Sequence, residues 1–309
     1  MFEQIKLHRF LSTKIMTSII RLSLIGMIVA SFVGVGILRA QSALVSKAGP
    51  SARAKTTGDA RNAAKPTIVL VHGAFADATS WQHVIPILER DGYNVIAVQN
   101  ALASLAGDVE TTKRVIDAQT GPVVVVGHSY GGAVITGAAA ENANVKALVY
   151  IAAFAPEPGE VITAFGEKYP VPLDHALKPD TAGFVYIDRA QFHDVFAKDV
   201  PAMQASVMAA TQKPIKGSAF GESVPQAAWK TIPSWYIVAQ EDQALNPNLQ
   251  RFFAKRISAK TIEIKSSHVP FISHPTEVAR LIEQAAIAAE KQPAADSANA
   301  HGKFTGDKT

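Results

Sequence analysis

Residues 123–135 read VVVVGHSYGGAVI. Four successive valines suit a strand buried on both faces, because branching at Cβ fits the pleat and none of the side chains asks for water. The run stops at Gly127, and the residues after Gly132, AVITGAAA, have helical character. Between them, Gly127-His128-Ser129-Tyr130-Gly131 makes a tight turn in which a side chain at either glycine would collide with neighbouring backbone. Such a turn lifts the serine hydroxyl above the carboxyl end of the strand and aims the first helical N–H groups at charge developing beside it. A glycine-rich turn that served structure alone would not need a hydroxyl between two small-residue positions. Ser129 is therefore the candidate nucleophile. His128 is too close in the chain to fold back as its base, and it is read as a packing or orienting residue.

Working outward, short β-branched runs recur at Thr67–Val71, Asn94–Val98, Val145–Ile151, Trp235–Ala239 and Thr261–Ile264. Helical patterns lie between several of them, at Thr79–Arg90, Val109–Gln119, Tyr130–Ala140, Leu249–Ile257 and Thr276–Ala288. Strand–helix alternation with right-handed crossovers predicts a three-layer α/β sandwich around a mostly parallel sheet, here over residues 66–289. One interval of about 80 residues breaks the rhythm, and a structureless loop of that length is uncommon in a compact domain. It holds a turn-rich stretch, Ala155–Lys178, and a helical-looking one, Ala190–Ala209. An inserted lid over the sheet is expected at about 155–230.

A serine hydroxyl needs a neutral imidazole to take its proton. Of the nine histidines, His268 follows the last strand, on a loop at the same sheet edge as Ser129, and is the candidate base. His274 precedes Pro275 at a helix start and is assigned a structural hydrogen bond or helix-entry role. The imidazole in turn needs a carboxylate to fix its tautomer. The preceding strand, WYIVA, ends in Gln240-Glu241-Asp242-Gln243; Asp242 is the candidate and Glu241 its rival. The order Ser129, Asp242, His268 is the one expected for an elbow of this kind.

A tetrahedral intermediate needs two N–H donors. Tyr130, after the nucleophile, supplies one; the loop His72-Gly73-Ala74-Phe75 after the first strand supplies the other, from Ala74 or alternatively Phe75. Phe75, Tyr130, Phe192 and Phe196 are candidates for lining a substrate pocket, while Trp81 is expected in the core. No metal-ligand spacing, dinucleotide-binding or phosphate-loop pattern appears, so neither a cofactor nor a metal is expected. With no cysteine in 309 residues, thiolate metal sites, disulfides and a cysteine nucleophile are excluded.

The chain is 48% hydrophobic and 18% charged with a net charge of +4, and no basic stripe or nucleic-acid motif accompanies that excess. Part of it flanks Leu22–Leu38, an uncharged apolar run behind Lys6, Arg9, Lys14 and Arg21. That order is that of a signal peptide, with Met16 as an alternative start and cleavage after Ala40-Gln41-Ser42. Residues 1–43 are read as a signal for a secreted or periplasmic protein, with a retained membrane anchor as the alternative. Residues 44–65 read as a flexible linker and 290–309 as a disordered tail.

The segments VHGAFADATSW, VVVVGHSYGGAVI, YIVAQEDQAL and SSHVPFISHP, taken in order, resemble the α/β-hydrolase superfamily. The likeness is to a bacterial branch related to plant methylesterases and hydroxynitrile lyases. The resemblance implies the α/β-hydrolase fold, a lidded serine esterase and small esters as substrates. It also places the triad on Ser129, Asp242 and His268 and the oxyanion hole on Ala74 and Tyr130. Hydroxynitrile lyases of this type carry a lysine after the catalytic histidine and a threonine after the oxyanion-loop histidine; this chain has Val269 and Gly73. Perhydrolase or haloperoxidase-like chemistry, lyase activity and a non-catalytic binding protein stand as alternatives to ester hydrolysis.

Overall fold

The computed structural model of the protein describes residues 65–292. The signal segment and nearly all of the linker and tail expected from the sequence lie outside the described residues. Along the chain the strands are β1 (Thr67–Val71), β2 (Val95–Val98), β3 (Val123–His128) and β4 (Val145–Ile151), then three short ones, β5 (Leu177–Pro179), β6 (Phe184–Ile187) and β7 (Ile215–Lys216), and finally β8 (Ser234–Ala239) and β9 (Lys260–Ile264). The helices are α1 (Ile85–Arg90), α2 (Leu105–Asp117), α3 (Tyr130–Ala138), α4 (Leu173–Ala176), α5 (Phe192–Phe196), α6 (Ala202–Thr211), α7 (Pro247–Arg256), α8 (Pro270–Ser273) and α9 (Pro275–Glu290).

Six strands form one sheet in the order β2-β1-β3-β4-β8-β9, and every pairing in it is parallel. The valines of β3 sit at its centre, wholly buried, and the residues of β8, next to the edge strand, are buried too. α2 turns Leu105, Asp108, Thr112 and Ile116 inward at helical spacing, with Ser104 Oγ capping its first turn through the Gly107 N–H at 3.1 Å. α9 packs a small-residue stripe that includes Ala285, Ala286 and Ala289 against the other side. The result is the expected three-layer α/β sandwich, with its central six-stranded sheet parallel throughout.

Three local expectations are corrected. The helix read at 79–90 is a 3-10 turn, Ala78–Trp81, followed by α1. Pro86, which has no N–H to donate, is tolerated only in the first turn of a helix, so the helix starts there. The helical stretch read at 190–209 is divided into α5 and α6, with Pro201 in between. The strand read at Thr261–Ile264 starts one residue earlier, as β9, and it is a sheet edge whose first four residues are exposed.

Residues 152–233 form the insertion between β4 and β8. They carry α4 to α6 and a three-stranded antiparallel sheet, β5-β6-β7. The insertion is tied to the sheet's carboxyl end: the Lys216 N–H donates to Leu102 O at 2.8 Å, and Ser267 Oγ bonds to the Asp199 carboxylate.

Candidate active site

The turn after β3 holds Ser129 at φ 52°, ψ −121°, a left-handed conformation that a residue with a side chain adopts only under constraint. The constraint comes from both directions. The Ser129 N–H donates to Ile151 O at 3.2 Å, while Ser129 O accepts from the Gly132 N–H at 3.0 Å and the Phe154 N–H at 3.1 Å. A Cβ on Gly131 would lie 2.7 Å from the carbonyl oxygens of Val71 and His72, and one on Gly132 would lie 2.3 Å from Phe154 O. The elbow is thus wedged between the ends of β1 and β4.

The loops after β8 and β9 carry the candidate acid and the candidate base. Asp242 Oδ2 lies 2.6 Å from His268 Nδ1, and both residues are buried. Three further donors reach the same carboxylate: the Ala244 and Leu245 N–H groups at 2.7 and 2.9 Å and Gln250 Nε2 at 2.7 Å. Glu241 is exposed and faces Lys265 at 3.6 Å. The structure therefore brings Asp242, and not its neighbour, to the imidazole. Gln250 gives nothing away in the sequence. It is a fully buried glutamine on α7, whose Oε1 accepts from the Ala239 N–H at 2.8 Å and so ties the acid loop to the end of β8.

His128 holds the base from the other side. Its Nε2–H donates to His268 O at 2.9 Å, and the two rings pack with centroids 4.7 Å apart. Burial keeps the His128 imidazole well below the usual histidine range, so its Nδ1 is unprotonated; that atom has no hydrogen-bond partner. The Ser129 hydroxyl makes no hydrogen bond to the base among the described residues. That link is commonly long in unliganded sites and tightens around substrate.

In the loop after β1, His72 Nδ1–H donates to Gly73 O at 2.9 Å and Nε2 accepts from the Asn100 N–H at 3.1 Å. Burial lowers this histidine to about 4, which keeps the neutral ring that such a donor–acceptor pattern requires. Phe75, at φ 62°, bends the loop over the elbow. The Ala74 and Tyr130 N–H groups have no backbone acceptor among the described residues, Tyr130 because it opens α3.

A cavity of about 260 Å³ contains Ser129 and is walled by Ala74, Phe75, Phe196 and apolar side chains that include Phe165, Leu173 and Leu249. One pocket expectation is corrected. The Tyr130 side chain is buried away from this cavity, where its hydroxyl donates to Asp108 Oδ2 at 2.9 Å; at the first position of α3 it is directed into the contact with α2. Phe192 does not line this cavity; it packs on Phe196 with centroids 5.1 Å apart and lines a neighbouring one. No group of three or more metal-ligating side chains is assembled among the described residues.

Residues 68–281 match the profile of the Alpha/beta hydrolase family. A probable hydrolase of Phoma sp., R7, is 29% identical over 244 residues, spanning 72% of this chain and 98% of the relative. Polyneuridine aldehyde esterase of Rauvolfia serpentina is 26% identical over 248 residues, spanning 69% and 93%. Among solved structures, a pyrethroid hydrolase from Sphingobium faniae superposes with a TM-score of 0.63 at 24% identity, covering 72% of this chain and 98% of the other.

Proposed function

The chain belongs to the alpha/beta hydrolase family, and from that premise we propose that it is a serine esterase that cleaves small carboxylic esters through an acyl-Ser129 intermediate. His268 Nε2 takes the Ser129 proton as Oγ attacks the ester carbonyl carbon. The oxyanion is received by the Ala74 and Tyr130 N–H groups. Asp242 keeps the His268 Nδ1–H oriented and stabilises the imidazolium. As the carbon–oxygen bond to the alcohol breaks, the same proton passes to the departing oxygen. Water, activated by His268, then releases the acid and restores Ser129. The insertion acts as a lid that keeps bulk water from this chemistry.

The observation that carries this reading is the Asp242–His268 hydrogen bond of 2.6 Å, formed in the cluster that also holds the strained Ser129 elbow. The names of the relatives, a hydrolase and an esterase, support it. The apolar cavity around Ser129 supports an acyl group of moderate size. A p-nitrophenyl series from acetate to decanoate tests it. The wild-type protein is expected to release nitrophenolate, and Ser129→Ala to lose roughly 10³-fold or more of that rate. Equal release by both proteins would refute the assignment.

A further inference from the structure

A second cavity, of about 340 Å³, lies beyond the rings of Phe75 and Phe196. These two rings line both cavities and meet edge to face with centroids 6.3 Å apart. They form the wall between the chambers. The two spaces differ in chemistry: the chamber with Ser129 is largely apolar, whereas the second mixes Thr79, Ser80, Gln82 and Gln204 with Met208 and Val269.

The direction of the reaction says which end of an ester each chamber faces. The carbonyl oxygen is claimed by the Ala74 and Tyr130 N–H groups. The departing oxygen must lie on the side of His268, which returns the proton to it. Val269 follows His268 and lines the second chamber, and the Phe196 ring stands 5.0 Å from the His268 ring. A group leaving on that side meets the aromatic wall, with the second chamber behind it. The chamber also has an outlet. Val207 of α6 lines it and is 58% exposed, so a product there reaches solvent without recrossing the Ser129 chamber.

We propose that the second cavity receives the alcohol portion of the ester while the Ser129 chamber takes the acyl portion, with Phe75 and Phe196 as the wall that yields between them. The mixed lining fits an aryl or alicyclic alcohol that carries hydrogen-bonding groups. This inference rests on the ester-hydrolase reading above and adds the location and chemistry of the leaving group.

The test compares methyl and 2-naphthyl hexanoate on the wild-type protein and on Met208→Trp, which narrows the second chamber from a half-buried position of α6. The ratio of kcat/KM for the naphthyl ester to that for the methyl ester is expected to fall roughly tenfold or more in the variant. Gln204→Trp, on the same helix, is expected to lower the same ratio and serves if Met208→Trp fails to fold. An unchanged ratio in a folded variant overturns the proposal. So does a penalty that follows the acyl chain, read as a larger loss on 2-naphthyl hexanoate than on 2-naphthyl acetate. Absence of Ser129-dependent turnover of either ester by the wild-type protein would instead overturn the ester-hydrolase reading itself.

Discussion

Glu241 and Asp242 are adjacent in the chain and opposite in surroundings. Asp242 is buried and accepts from two backbone N–H groups, Gln250 and His268, whereas Glu241 reaches only an exposed lysine. Asp242→Asn should therefore lower kcat by about 10⁴-fold, because an amide there no longer fixes the His268 tautomer. Glu241→Gln should change kcat by less than about twofold, since an exposed ion pair contributes little. Steady-state kinetics on both folded variants checks this, and the reverse ranking would move the acid to Glu241. The placement of Ser129, Asp242 and His268 beyond the carboxyl ends of strands was legible because each follows a β-branched run. Gln250 was not legible: a glutamine within a helix carries no mark of the carboxylate it will meet. Nor was the direction of the Tyr130 side chain, which its buried bond to Asp108 decides.

At the scale of elements, the elbow is a junction of three backbones with no space to spare. Gly132 approaches Phe154 so closely that even a methyl group must displace main chain rather than a flexible side chain. Gly132→Ala is expected to destabilise the fold by about 1–3 kcal/mol or more, the usual range for overpacking. A urea denaturation midpoint checks it, and a midpoint equal to the wild-type value would show that the end of β4 can retreat. The long parallel strands were readable from composition because double-sided burial permits few residue types. The insertion was readable only as an interruption. β7 has two residues and α4 has four, too few to express a period of 2.0 or 3.6.

The whole molecule carries its pH response in its buried imidazoles. Burial lowers His72 to about 4 and holds His128 well below the ordinary value. As pH falls through about 6.5, the unfolded chain binds protons at both positions while the folded protein refuses them. Their contribution to stability is complete above that pH and is lost as pH falls toward the folded values, at up to about 1.4 kcal/mol per pH unit for each histidine. Asp108 and Glu283 oppose this, because burial raises their carboxyls and favours folding at lower pH, whereas the two histidines are held below the whole interval from pH 7 to pH 5. Urea midpoints are therefore expected to fall between pH 7 and pH 5, and a flat or rising profile would contradict the assignment of two buried neutral histidines.

The separation of Ser129 and His268 along the chain has a consequence for synthesis. The bond from His128 to the His268 carbonyl joins positions 140 residues apart, and the base is held in place only after β9 has docked on β8. A ribosome makes the serine elbow long before it makes the imidazole proposed to activate it. A nascent or truncated chain ending before β9 carries the proposed nucleophile without its proposed base. Under the esterase reading, hydrolysis switches on only once the chain has been laid down past β9 and His268 and the bond to Asp242 has formed.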